Sequence, residues 1–234
     1  MRKSARRPPP GPIGSTLRAL FTALARLRRG RAFHPRGQSY SGRIAPVEGA
    51  AMAPFPTSPR SVLIRLSKAA GLPPRLPDVY GLSLRIPDAY GPGAHQDVLL
   101  STAGTLPVLR HVLAPTLGLD RRMLTSLTMF RLGGRLVLLG ARFAGTRASG
   151  PLQLPAADAA VAAGRVAFEL CLASPLGRWR PFARLTLEQR LPAADSKGLR
   201  FELLNTAPDL EPVGFVNRLR PVAYEASRRS AMSE

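Results

Sequence analysis

Two spacings in this chain are suited to acid–base and ligand chemistry. The first is Arg31-Ala-Phe-His34-Pro-Arg36-Gly37, one of three places where a histidine occurs. An imidazole titrates near neutrality, so His34 can both take up and return a proton at physiological pH. The second is Arg220-Pro-Val-Ala-Tyr224. Four residues apart on a helix, guanidinium and phenol share a face. A neighbouring cation lowers the pKa of a phenol, whose ordinary value is near 10. A third group, Ala94-His95-Gln96-Asp97, offers an amide and a second imidazole side by side. Cysteine chemistry is excluded: the single Cys171 allows neither an intramolecular disulfide nor a Cys-based zinc site. It reads as a buried thiol within a strand.

Positioning these groups falls to short apolar runs broken by Pro, Gly and Asp clusters. Runs of this kind cover 38–47, 61–67, 81–86, 97–102, 124–132, 135–143, 165–173 and 182–191. Gly133-Gly134 between two of them reads as a tight hairpin, because both glycines accept positive φ. Eight antiparallel strands with few helices suit a closed barrel, which has no exposed edge. The expected class is α+β, mainly β, with residues such as Leu63, Leu82, Leu84 and Leu99 in packed layers. Short helices are expected over 106–117 and 155–163. A helix over 15–29 carries Leu17, Leu20, Phe21, Leu24 and Leu27 on one face, and a C-terminal helix over 213–230 carries Tyr224. The domain reading is a basic, disordered tail over 1–14 and one domain over 15–234, with the barrel at 38–191.

The chain has 234 residues, 45% of them hydrophobic, which is enough for one sizeable core. Its formal charge of +20 comes almost wholly from arginine: lysine occurs only at positions 3, 68 and 197. No acidic residue precedes Glu48. Residues 1–36 therefore form a basic arm suited to sequence-blind contact with an anionic membrane or nucleic acid. With aromatics at 6% and no interleaving of basic and aromatic residues, base stacking is not indicated. The apolar part of the arm is too short and too interrupted for a membrane span or a signal peptide. A cytoplasmic protein whose arm is a solvated tail is the expectation, with membrane association through the arm as the alternative.

The Arg-x-x-His-x-Arg-Gly run is similar to the distal-side signature of the haem catalases. Four further stretches resemble that family in the family's order: 61–67 (SVLIRLS), 78–85 (DVYGLSLR), 179–187 (WRPFARLTL) and Arg220 to Tyr224. Together they run from about residue 30 to 228. The resemblance implies an eight-stranded antiparallel catalase-like barrel with a few flanking helices and a bound haem. It implies that Tyr224 ligates the iron, with Arg220 stabilising the phenolate. It also implies that Arg31 and Arg65 pair with the propionates, that His34 is the acid–base catalyst and that Ser67 sets its tautomer.

The chain departs from the family at the distal Asn, usually in an Asn-Asn-Thr-Pro run, for which Gln96 is the candidate substitute. It also lacks the family's Asp-Thr-x-x-His-Arg run after the ligand Tyr, having Glu225-Ala-Ser-Arg228-Arg229 instead. The function these features imply is a compact haem peroxidase or peroxygenase acting on hydrogen or organic hydroperoxides, or on another small apolar substrate. The alternative is a haem-free barrel serving as a binding or scaffold module. Short relatives of that kind are sometimes labelled phosphodiesterases, but three scattered histidines and few carboxylates provide no two-metal centre.

Overall fold

The structure is a computed structural model, which describes residues 36–50, 52, 54–55 and 58–213. The expected tail, the helix over 15–29 and the helix over 213–230 lie outside these residues, apart from Val213. Eight strands, β1 (Arg36–Pro46), β2 (Arg60–Lys68), β3 (Tyr80–Ile86), β4 (Gln96–Thr102), β5 (Leu124–Leu132), β6 (Arg135–Phe143), β7 (Ala167–Ala173) and β8 (Arg180–Arg190), pair antiparallel around a closed barrel. Neighbours in sequence pair with one another, and β8 returns to β1 over Tyr40↔Arg190 to Pro46↔Ala183. The joint between β4 and β5 is short, only Ser101↔Thr125 and Thr102↔Leu124. A ninth strand, β9 (Leu210–Pro212), adds to the far end of β5 through Phe130↔Pro212 and Leu132↔Leu210.

Alternation decides which side chains fill the interior. Val62, Ile64 and Leu66 on β2 meet Leu82, Leu84 and Ile86 on β3, with Tyr40, Ile44, Val98, Leu100, Phe168 and Leu185 around the ring, all buried. Leu82 and Leu84 take the places expected of them. Leu63 and Leu99 instead face outward and are half-buried, because they fall on the odd side of the same alternation. Gly133 and Gly134 adopt φ of 53° and 77°, closing the β5–β6 hairpin as their sequence requires.

One end of the barrel is capped by α1 (Leu154–Ala162), which buries Leu154, Ala157, Ala160 and Val161. Its Asp158 accepts a 2.7 Å hydrogen bond from the Tyr40 hydroxyl and pairs with Arg190, latching helix to barrel. Burial, and then Asp158, push the Tyr40 phenol well above its ordinary pKa. The helix expected over 106–117 is only a 3-10 turn, Pro107–His111. Pro107 opens it, and the β-branched Val108 and Val112 with Pro115 offer little to extend it. A short helix, α2 (Ala193–Gly198), follows β8. No described helix is long and apolar enough to cross a membrane.

Candidate functional site on the outer barrel face

The registers of β1 to β5 bring five small residues into one line across the outside of the barrel. Gly37 lies opposite Ser67, Ser67 opposite Gly81, Gly81 opposite Ser101, and Ser101 opposite Thr125. Directly paired residues share a face, and this face is the one opposite Val62, Ile64 and Leu66. With strands ~4.8 Å apart, four steps span about 19 Å. None of the five side chains is large; at the β5 end Thr125 is fully buried, its hydroxyl donating to the Arg110 carbonyl at 2.7 Å. The adjoining row, Ser39, Arg65, Ser83 and Leu99, borders the same face.

Three polar groups give this face its character. Arg65 is half-buried, and desolvation holds its guanidinium below the ordinary pKa, although an arginine stays protonated at any physiological pH. Its guanidinium lies over Gly37: a Cβ there would come within 2.6 Å of a terminal nitrogen and 2.7 Å of the guanidinium carbon. Ser67 is buried and its hydroxyl donates a long 3.4 Å hydrogen bond to the Gly81 carbonyl. Ser39, directly opposite Arg65, is 2% exposed, and its hydroxyl has no hydrogen-bond partner among the described residues. A buried hydroxyl left unpaired costs about 1–3 kcal/mol, so it is a natural place for a ligand atom.

Arg65 and Ser67 therefore stand on one face, beside the glycine of the histidine motif. His34, Arg31, Arg220 and Tyr224 lie outside the described residues. Gln96, in contrast, is not brought to this face. It pairs with Ile86, five residues along β3 from Gly81, or roughly 17 Å away at strand spacing, and it points into the barrel. Its Oε1 accepts from the Tyr90 hydroxyl and the Ala207 amide, both at 2.9 Å, and its Nε2 donates to the Asp97 carbonyl at 2.8 Å. The amide is engaged in holding the 199–212 segment, at the opposite end of β3 and β4 from Ser67. His95 sits at the same far end, where its Nδ1 accepts the Asp88 amide at 3.0 Å.

The other expected motif residues serve the scaffold. Asp78, buried, accepts backbone amides of Ala70, Leu72 and Val79 at 2.8–3.1 Å and lies 3.9 Å from the Lys68 ammonium. It thereby ties down the β2–β3 connection next to Gly81. Trp179 packs beneath Arg110, whose guanidinium carbon is 4.9 Å from the ring centroid. Cys171 is buried, as expected, and burial raises its thiol to about 11. Ser39 and the line of small residues were not anticipated. Only the strand register reveals them, although the glycine of the histidine motif was already one member.

The described residues contain no cluster of three or more His, Cys, Asp or Glu side chains able to hold a metal ion. What the outer face provides is a row of small side chains, a desolvated cation and a buried hydroxyl unpaired among the described residues, features suited to a flat, anionic organic group.

No family model and no curated sequence matches this chain. Solved structures do. A bacterial catalase aligns with a TM-score of 0.58 at 14% identity over 89% of this chain and 59% of its own. A fungal catalase aligns with a TM-score of 0.54 at 11% identity over 92% of this chain and 62% of its own. The chain thus spans about three fifths of the length of these catalases, and what it shares with them is the closed, eight-stranded, catalase-like antiparallel barrel.

Proposed function

We propose that the chain holds haem against the outer face of β1 to β4 and acts as a peroxidase or peroxygenase on hydrogen or organic hydroperoxides. The observation carrying this reading is the row Gly37, Ser67, Gly81 and Ser101 with Arg65 and the unpaired Ser39 at its border. Haem, when bound, supplies the redox chemistry that breaks an O–O bond. In this reading Tyr224 ligates the iron and Arg220 keeps its phenol ionised. Arg65, with Arg31, binds the propionates through charge-assisted hydrogen bonds. His34 takes a proton from one peroxide oxygen and returns it to the other, and Ser67 fixes its tautomer.

Protein made with a haem precursor is expected to show a Soret band with tyrosinate-ferric character. Tyr224→Phe should abolish or shift that band while the barrel stays folded. His34→Ala should keep the band and lower peroxide turnover by about 100- to 10,000-fold. A purified, folded protein that takes up no haem would overturn the reading and favour the alternative. That alternative, a haem-free binding module, draws support from the distant placement of Gln96, which leaves no amide from that segment at the face.

A further inference from the structure

On another part of the barrel exterior lies an exposed apolar patch with a buried cation under it. Leu106 is 63% exposed and Val108 76%, with Leu109 and Val112 exposed beside them, four large aliphatic residues within seven positions. A fifth, Leu176, is 77% exposed in the turn between β7 and β8. One side chain ties the two segments together. Arg110, 5% exposed, donates to the Gly177 carbonyl at 2.8 Å and the Ser174 carbonyl at 3.4 Å while its guanidinium covers Trp179. Its Nε is buried without a partner, and no carboxylate pairs with it among the described residues.

Cations also surround the patch. Exposed Arg178 follows Gly177 directly. Exposed Arg122 precedes Met123, whose methyl lies with the Trp179 ring against Gly140. Apolar side chains on a rigid base, with exposed Arg178 and Arg122 on adjoining segments, in a chain of formal charge +20, match a surface that is anionic outside and apolar beneath.

We propose that this patch, with Leu106, Val108, Leu109, Val112 and Leu176 at its centre and Arg178 and Arg122 at its edge, docks on an anionic lipid bilayer. The aliphatic residues enter the boundary between headgroups and acyl chains, and the arginines meet the lipid phosphates. Docking is separate from the basic arm over 1–36, which the unaltered and variant proteins share, and it holds whether or not haem is bound.

The test is co-sedimentation of the full chain with vesicles of phosphatidylcholine alone or with about one third phosphatidylglycerol. The unaltered chain is compared with Val108→Glu/Leu176→Glu, two changes at side chains more than three-quarters exposed, so folding is retained and is verified by circular dichroism. The unaltered chain is expected to bind the anionic vesicles and to keep part of that binding at about 0.5 M salt, where charge-only attraction is screened. The double variant, its arm intact, should bind at least about tenfold more weakly and lose all binding at that salt. Equal binding by both proteins, or none by either, would overturn the proposal. So would a dimer of the unaltered chain, seen by light scattering, that the double variant dissolves, because the patch would then be an interface between copies.

Discussion

Two glycines of β1 differ in what stands where their side chains would be. At Gly37 the obstacle is the tip of Arg65, a long and flexible side chain. At Gly42 a Cβ meets the Thr186 carbonyl oxygen, which is β8 backbone, and lies 2.6 Å from the Ile64 methyl inside the barrel. Gly37→Ala should therefore leave the melting midpoint nearly unchanged while displacing the guanidinium, so haem uptake, followed by titrating the Soret band, should weaken. Gly42→Ala forces two strands apart at a β-bulge and should cost about 1–3 kcal/mol. For a chain of this size that lowers the midpoint by roughly 2–10 °C. Equal midpoints for the two variants would mean that the β1–β8 contact relaxes more easily than its geometry indicates.

At the scale of elements, the 199–212 segment hangs on one buried carboxylate. Asp97 accepts both Arg85 nitrogens at 2.6–2.7 Å, the Glu202 amide at 2.9 Å and the Asn205 side chain at 3.3 Å. Asp97→Ala leaves Arg85 without its carboxylate, with only the Arg200 carbonyl still accepting from it, and should cost about 3–5 kcal/mol, the usual consequence of breaking a buried pair. Amide exchange should accelerate first at Glu202 and through β9, with β2 and β3 affected least. The elements themselves were legible where local chemistry decides them. The β5–β6 hairpin follows from Gly133-Gly134, and α1 from an alanine-rich run opened by Pro155. β9 and α2 were not legible, because a three-residue strand carries no periodicity and exists only through its pairing with β5. The outer face of β1 to β4 was half legible. Arg65 and Ser67 stand out in the chain, but the alignment of Gly81 and Ser101 with them depends on register across four strands. The place of Gln96 was not legible for the same reason: its neighbours in sequence do not reveal which end of the barrel it occupies.

The whole molecule should be sensitive to alkali. Cys171 is raised from 9.0 to about 11 by burial. Tyr80 is raised from 10.0 to about 12 by burial, with Asp78 and Asp120 adding to the effect. The folded chain keeps these protons at a pH where the unfolded chain has released them. Stability is therefore fully present below about pH 9 and falls as the pH climbs through 11 and 12. The urea midpoint should drop between about pH 9 and 12, and Cys171→Ala should remove part of that slope. A midpoint that stays level across this range would show that these groups ionise without strain in the fold.

The return of β8 to β1 also sets a timetable for the barrel during synthesis. Ile44 pairs with Leu185, 141 positions later, whereas β2 to β7 each find a partner in an adjacent strand, directly or across the β4–β5 joint. A chain emerging from the ribosome at ~5–20 residues per second holds the outer edge of β1 unpaired for about 7–28 seconds. Throughout that interval the core around Tyr40 and Ile44 stays open along one side, and a free strand edge invites pairing with other chains. A chain ending at residue 178, before β8, should accordingly bind a hydrophobic dye and aggregate, while the full chain does neither.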